Sequence, residues 1–266
     1  MLKEKTRNFI IHSLKYILSK EYRELSRIRQ LPRYSSFKTK ILGNELMGVD
    51  GASFVFTYNE IFKKCIYNFR AANNSPLIID CGANIGLSII YFKSLYPDSN
   101  IIAFEPDQNI FKTLSSNISS FNLKNVTLLN NAVWIEETTL DFSSEGADGG
   151  RISTLAGDKT NNKINALRLK DLLKNKKVDF LKIDIEGAET IVLKDCEDVL
   201  HNVEHLFVEY HSFENKQQTL HELLAILHNA NFRIHALPVN HSPHPFIKRN
   251  SYLGIDLQFN IFAFRE

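Results

Sequence analysis

Hydrophobic periodicity changes character near residue 70. Before it the pattern is broken. Ile41 to Val55 reads as short strands with turns at Gly43-Asn44 and Asp50-Gly51, Glu60 to Phe69 as a helix, and Ala71 to Pro76 as a breaker. Beyond it, short continuous apolar runs alternate with helical spacing. Leu77 to Asp80 predicts a buried strand, Gly82 to Gly86 a turn, and Leu87 to Leu95 a helix stopped near Pro97. Ile101 to Phe104 predicts a second strand ending at Glu105-Pro106, and Ile110 to Phe121 a second helix. Strands follow at Val126 to Val133 and Val178 to Asp184, then a helix over Glu189 to Leu200, a strand over Leu206 to Tyr210 and a helix over Gln217 to Asn229. Arg233 to Val239 and Asp256 to Phe264 close the series, with only a turn-rich loop between them, which predicts an antiparallel hairpin at a sheet edge. Strands that are apolar throughout, separated by helices, imply a mostly parallel sheet covered on both faces. The reading is an α/β domain over 71–266 behind an extension over 1–70.

Charge reinforces that division. The first 40 residues hold eleven Lys or Arg and three Glu, a net +8, so against the chain total of +2 the rest carries −6. In the arm Ile10, Leu14, Ile17 and Leu18 keep helical spacing beside Lys15, Lys20 and Arg23. Such a helix either lies on anionic lipid or an acidic substrate, or packs on its own domain or on a second copy in a homodimer. Its basic residues show no nucleic-acid pattern. With 44% hydrophobic and 23% charged residues the 266-residue chain has ordinary globular composition. No run approaches the ~20 apolar residues of a membrane span, and His12, Ser13 and Lys15 interrupt Phe9-Ile10-Ile11 too early for a signal peptide. Cys65, Cys81 and Cys196 are scattered without CxxC spacing, which reads as free thiols in a reducing, cytoplasmic setting. The basic arm adds contact with the inner membrane face as one reading.

The first strand–turn–helix carries the candidate chemistry. In open α/β sheets ligands sit outside the carboxyl ends of the strands. Here that place is Asp80-Cys81-Gly82-Ala83-Asn84-Ile85-Gly86, an Asp-x-Gly-x-x-x-Gly pattern and not the Gly-x-Gly-x-x-Gly of dinucleotide binders. Gly82 would let a ligand approach the backbone, and Gly86 would let the helix pack tightly on the strand. Asp80 suits a ligand with an ammonium group. Glu105, ending the second strand, suits both hydroxyls of a ribose.

These residues resemble the S-adenosylmethionine site of class I methyltransferases. The resemblance implies a Rossmann-like, seven-stranded, mostly parallel sheet with helices on both faces and a reversed edge strand. It implies that Asp80, Gly82, Ala83, Asn84 and Gly86 line the methionine end of the cofactor, with Asp184 beside them. Glu105 and Pro106 would then hold the ribose, and Asn131 and Ala132 flank the adenine, although Asn131 also reads as a plain turn residue. Leu181-Lys182-Ile183-Asp184-Ile185-Glu186-Gly187-Ala188-Glu189, together with Ile78-Ile79-Asp80-Cys81-Gly82-Ala83-Asn84-Ile85-Gly86-Leu87 and Phe104-Glu105-Pro106 upstream, is similar to the FkbM family. Members of that family methylate hydroxyls of a macrolide and of sugars on glycolipids and glycans, so the implied acceptor is a hydroxyl-bearing carbohydrate or small molecule. Gly149-Gly150-Arg151 matches a small-residue loop of the family only loosely.

Methyl transfer to a hydroxyl needs collinear oxygen, carbon and sulfur and a base for the hydroxyl proton. The fourth and fifth strands end in Asp184 and Glu186 and in Glu209 and His211. Alternation puts Glu209 and His211 on the face opposite Tyr210. Asp184 and His211 are therefore the candidate catalytic pair, with His211 the proton acceptor and Glu186 binding substrate or orienting the site. Glu189 reads as a charge on the first turn of its helix, and Glu209 as either a site residue or a partner of Lys182. Asp184, Glu186 and His211 could instead hold a divalent cation, manganese or iron sooner than magnesium, though the base is preferred. His241 and His244 sit in a Pro-rich loop that would face the substrate. A nicotinamide oxidoreductase and a non-catalytic scaffold are the rival functions. Acceptor choice lies in the arm and in the loops Ser143 to Lys163 and Asn240 to Tyr252.

Overall fold

The structure is a computed structural model that describes residues 19–144, 150–152 and 162–265. The arm positions Ile10, Leu14, Ile17 and Leu18, and Gly149, lie outside the described residues. The extension begins with α1 (Lys20–Arg29), started by the Ser19 hydroxyl accepting from the Tyr22 N–H. A short hairpin of β1 (Phe37–Thr39) and β2 (Leu46–Gly48) follows. Asp50-Gly51 is not a hairpin turn. The Asp50 carboxylate accepts from the Ser53 N–H and so starts α2 (Gly51–Tyr58), which continues in a wider turn over Asn59–Lys63. The helix expected over Glu60 to Phe69 thus begins nine residues earlier and ends earlier, because the aspartate caps a helix where a turn was read. Past its end Tyr67 and Phe69 turn inward onto Phe92 and Phe180.

The main sheet starts with β3 (Leu77–Cys81), α3 (Leu87–Leu95), β4 (Asn100–Phe104), α4 (Gln108–Ser120) and β5 (Val126–Leu129). Asp107 caps α4 by accepting from the Asn109 and Ile110 N–H groups, and Ile110, Leu114 and Ile118 bury its inner face at four-residue spacing. The strand expected over Val126 to Val133 breaks in two. Asn130 donates its side-chain amide to the Glu105 and Pro106 carbonyls, and the chain leaves the sheet there. Ala132–Trp134 (β6) joins a second sheet with β7 (Thr138–Ser143), β8 (Arg151–Ile152) and β9 (Lys163–Arg168), in the order β6-β9-β7-β8. β6 and β8 are too short to show a period, and the strands predicted from the sequence do not include β7 and β9.

Helix α5 (Leu169–Leu173) leads into β10 (Val178–Ile183), α6 (Glu189–Asp195) with a tighter turn over Glu197–Asn202, β11 (Val203–Phe213), α7 (Leu220–Asn229), β12 (Arg233–Asn240) and β13 (Ile255–Phe264). The seven strands run β12-β13-β11-β10-β3-β4-β5, and β13 is antiparallel to both its neighbours. The sheet is the expected seven-stranded α/β sheet, and β12 and β13 do form a hairpin at its end. The reversed strand is not the edge, however: β13 lies one place in and β12 forms the rim. Side-chain alternation sends Ile79, Leu181 and Val208 into one core and Ile78, Phe180 and Phe207 into the other. The second core also holds Phe54, Tyr58 and Ile61 of α2 and its continuation, so the extension shares a core with the sheet.

Candidate active site

A cavity of about 500 Å³ opens at the carboxyl ends of β3, β4, β10 and β11. Gly82, Ala83, Asn84, Glu105, Pro106, Asn131 and Ala132 line one part of it, and Asp184, Glu186 and His211 another. Asp80 and Gly86 do not reach it. Asp80 is fully buried behind the wall, where it accepts from the Ser88 hydroxyl and lies 3.3 Å from Lys182 Nζ. Its charge is already matched by lysine, so it is not the expected ammonium partner. Gly82 has φ +90°, and a Cβ there would fall 1.9 Å from the Asp184 carbonyl oxygen. The missing side chain permits a close approach to the β10 end, and Gly82 also lines the cavity. Gly86, at φ +92°, makes room for Leu114 of α4 instead of for the strand.

The sequence pattern offers Lys182 only as a partner for Glu209. Its register opposite Asp80 on β3 and its i, i+2 relation to Asp184 send it elsewhere. Nζ donates to the Gly82 carbonyl at 2.8 Å and to Asp184 at 3.2 Å. Burial would lower its pKa, but Asp184 and Asp80 outweigh that and hold the ammonium charged. Glu209 instead accepts from the Gln258 amide of β13.

Glu105 has both oxygens on backbone: Asn84 N–H at 2.9 Å on one and Asp107 N–H at 2.9 Å on the other. Burial nevertheless pushes its carboxyl up to about 8. Each oxygen keeps a further lone pair for a ligand hydroxyl.

His211 is buried at the end of β11. Its Nδ1 lies 3.0 Å from a Glu189 oxygen, which leaves Nε2 turned to Glu186 and Glu209, each 3.7 Å away. Glu189 does sit in the first turn of α6, and its carboxylate also accepts from the Gly187 N–H. The same carboxylate thus fixes the loop and the imidazole, a role that the sequence pattern did not reveal because His211 is 22 residues away. Burial alone would lower the His211 pKa. Glu186, Glu189 and Glu209 outweigh it and hold the imidazole well above its ordinary value. Burial and the neighbouring Asp184 push Glu209 up to about 7. Glu186 stands in the left-handed region at φ +53°, a strained backbone for this residue. Donor atoms of Asp184, Glu186 and His211 fall within 4.8 Å of one another, close enough to meet a single reacting group or one ion.

The model of the methyltransferase FkbM domain matches residues 80–234. The chain belongs to that family. It is 30% identical over 167 residues to Methyltransferase 1 of Beauveria bassiana (strain ARSEF 2860), a match covering 54% of this chain and 67% of that one. It is 29% identical over 179 residues to Methyltransferase sdnD of Sordaria araneosa, covering 54% and 69%. The crystal structure of the methyltransferase FkbM from Methylobacillus flagellatus KT superposes with a TM-score of 0.48 at 17% identity, over 74% of this chain and 45% of that one. Membership sets aside the nicotinamide reading, and within this FkbM domain the site residues named above fall inside the matched span.

Further contributions to the cavity come from outside that span, among them Gln258 and Asn260 from β13 and Phe56, Thr57 and Glu60 from α2 and its continuation. The period-two pattern of β13 could have flagged the first pair, had its place beside β11 been known. His241 and His244 are exposed and do not line the cavity, whereas Asn240, Tyr252 and Leu253 at the two ends of their loop do. Among the described residues no helix is long and apolar enough to cross a membrane.

Proposed function

We propose that this protein is an S-adenosylmethionine-dependent O-methyltransferase whose acceptor is a hydroxyl of a sugar, glycolipid, glycan or related natural product. The observation that carries the reading is the pairing, in one cavity, of a buried carboxylate with free lone pairs at Glu105 and a histidine–carboxylate cluster at Asp184, Glu186 and His211. Glu105 would hold the ribose hydroxyls, with Asn131 and Ala132 beside the adenine and Gly82 to Asn84 along the methionine end. When bound, the cofactor supplies an electrophilic methyl group on a sulfonium.

The chain's own residues then have three tasks. Asp184, fixed by Lys182, and Glu186 orient the acceptor hydroxyl. His211 Nε2 accepts its proton. Glu189 keeps Nδ1 protonated and the ring in place, as a carboxylate behind a histidine does in other bases.

The cofactor half is tested by calorimetry. Glu105→Ala is expected to weaken S-adenosylmethionine binding by ~1–3 kcal/mol, the worth of two hydrogen bonds between its carboxyl group and the ribose hydroxyls. Wild-type affinity in that variant would remove Glu105 from the site, and no binding by the wild-type chain would leave a scaffold. A second reading rests on the proximity of Asp184, Glu186 and His211 donors, which would suit a manganese or iron ion that polarises the hydroxyl. It predicts activity lost to chelator and restored by added cation, whereas the base reading predicts indifference to chelator.

A further inference from the structure

We propose that the rim of the cavity docks on an anionic membrane surface, with Phe246 and Ile247 of the β12–β13 loop entering the interface and Lys248 and Arg249 meeting the headgroups. Phe246 is 104% exposed and Ile247 87%. A fully exposed Phe–Ile pair is costly to leave in water unless something covers it. The loop is a built feature. The Ile247 and Lys248 N–H groups both donate to the His244 carbonyl, and the Asn250 N–H donates to the Ser242 hydroxyl, which together present the apolar pair at the tip of a closed turn.

The pair is not isolated. Tyr252, Leu253 and Phe56, all exposed, line the cavity mouth. Tyr34, also exposed, follows Arg33, whose guanidinium donates to the Tyr252 hydroxyl at 2.9 Å and so ties the extension to this loop. The β12–β13 loop thus carries four of the large apolar side chains exposed among the described residues, Phe246, Ile247, Tyr252 and Leu253, and the last two border the cavity. Charge decides the occupant. From Asn240 to Gly254 the loop contains Lys248 and Arg249 and no carboxylate. Apolar side chains flanked by bases fit a bilayer interface of negative charge. This inference does not depend on the methyltransferase reading.

The test is co-sedimentation of the full chain with vesicles of phosphatidylcholine alone and of phosphatidylcholine mixed with phosphatidylglycerol. Binding is expected to the mixed vesicles, falling as salt rises. Phe246→Ser with Ile247→Ser should lower partition at least ~tenfold, and Lys248→Gln with Arg249→Gln about fivefold per residue. Unchanged thermal midpoints show that both variants are folded. The arm is present in every variant, so a serine pair that partitions like wild type overturns the proposal and assigns any binding to the arm. Wild-type chain that stays in solution with both vesicles overturns it as well. A concentration-dependent dimer abolished by the serine pair, without vesicle binding, overturns it in favour of a second copy.

Discussion

His211→Ala is expected to slow turnover by roughly 10²–10⁴-fold, the contribution of a positioned base, while cofactor affinity stays nearly unchanged. The pH dependence is the sharper measurement. A base works only when deprotonated, and three glutamates hold the His211 proton on, so activity should be absent at low pH and rise through a point above the ordinary ~6.5 of histidine. A free imidazole would instead place the inflection at ~6.5. Glu189→Gln removes one of the charges that raise the pKa, so its inflection should move down in pH, with activity appearing earlier. Glu209, at about 7, lies in the same cluster, so the observed inflection belongs to the group and not to one residue. A flat profile, together with near-normal turnover in His211→Ala, would sink the assignment.

The second large effect concerns folding. Lys182→Met should cost ~3–5 kcal/mol, because it strands the fully buried Asp80 carboxylate without its counter-charge. Urea unfolding reads this directly. The double variant Lys182→Met with Asp80→Asn should regain much of the loss, since neither charge then needs the other. A single variant within about 1 kcal/mol of wild type, against the ~3–5 expected, would mean that water reaches Asp80.

The parts of this fold that were legible in the sequence are those whose signal is local. Continuous apolar runs located β3, β4 and β10, and α3 fell on its expected residues Leu87 to Leu95. Strand ends placed Glu105, Asp184 and His211 on one cavity because a carboxyl-terminal strand end is a position readable from pattern alone. Asp80 stands at such an end too, yet its partner depends on the β3–β10 register, which no spacing within either strand encodes. Asp50 caps a helix where the pattern predicts a turn, because a capping aspartate and a turn aspartate carry the same local signal. In the second sheet β6 and β8 are three and two residues long, too short for any period to register, whereas the six-residue β7 and β9 carry only two buried-side apolar positions each, Leu140 and Phe142, and Ile164 and Ala166.

The place of β13 bears on how the molecule is made. It follows β12 in the chain yet separates β12 from β11. Until Ile255 to Phe264 have left the ribosome, the eleven-residue β11 has one long unpaired edge, and β12 has no neighbour in the sheet. Synthesis therefore passes through a stage in which β11 can pair with a wrong strand, and closure of the sheet is a late, non-local event. The same event delivers Gln258 and Asn260 to the cavity, so a nascent chain gains these two lining residues only on the step that also covers the β11 edge.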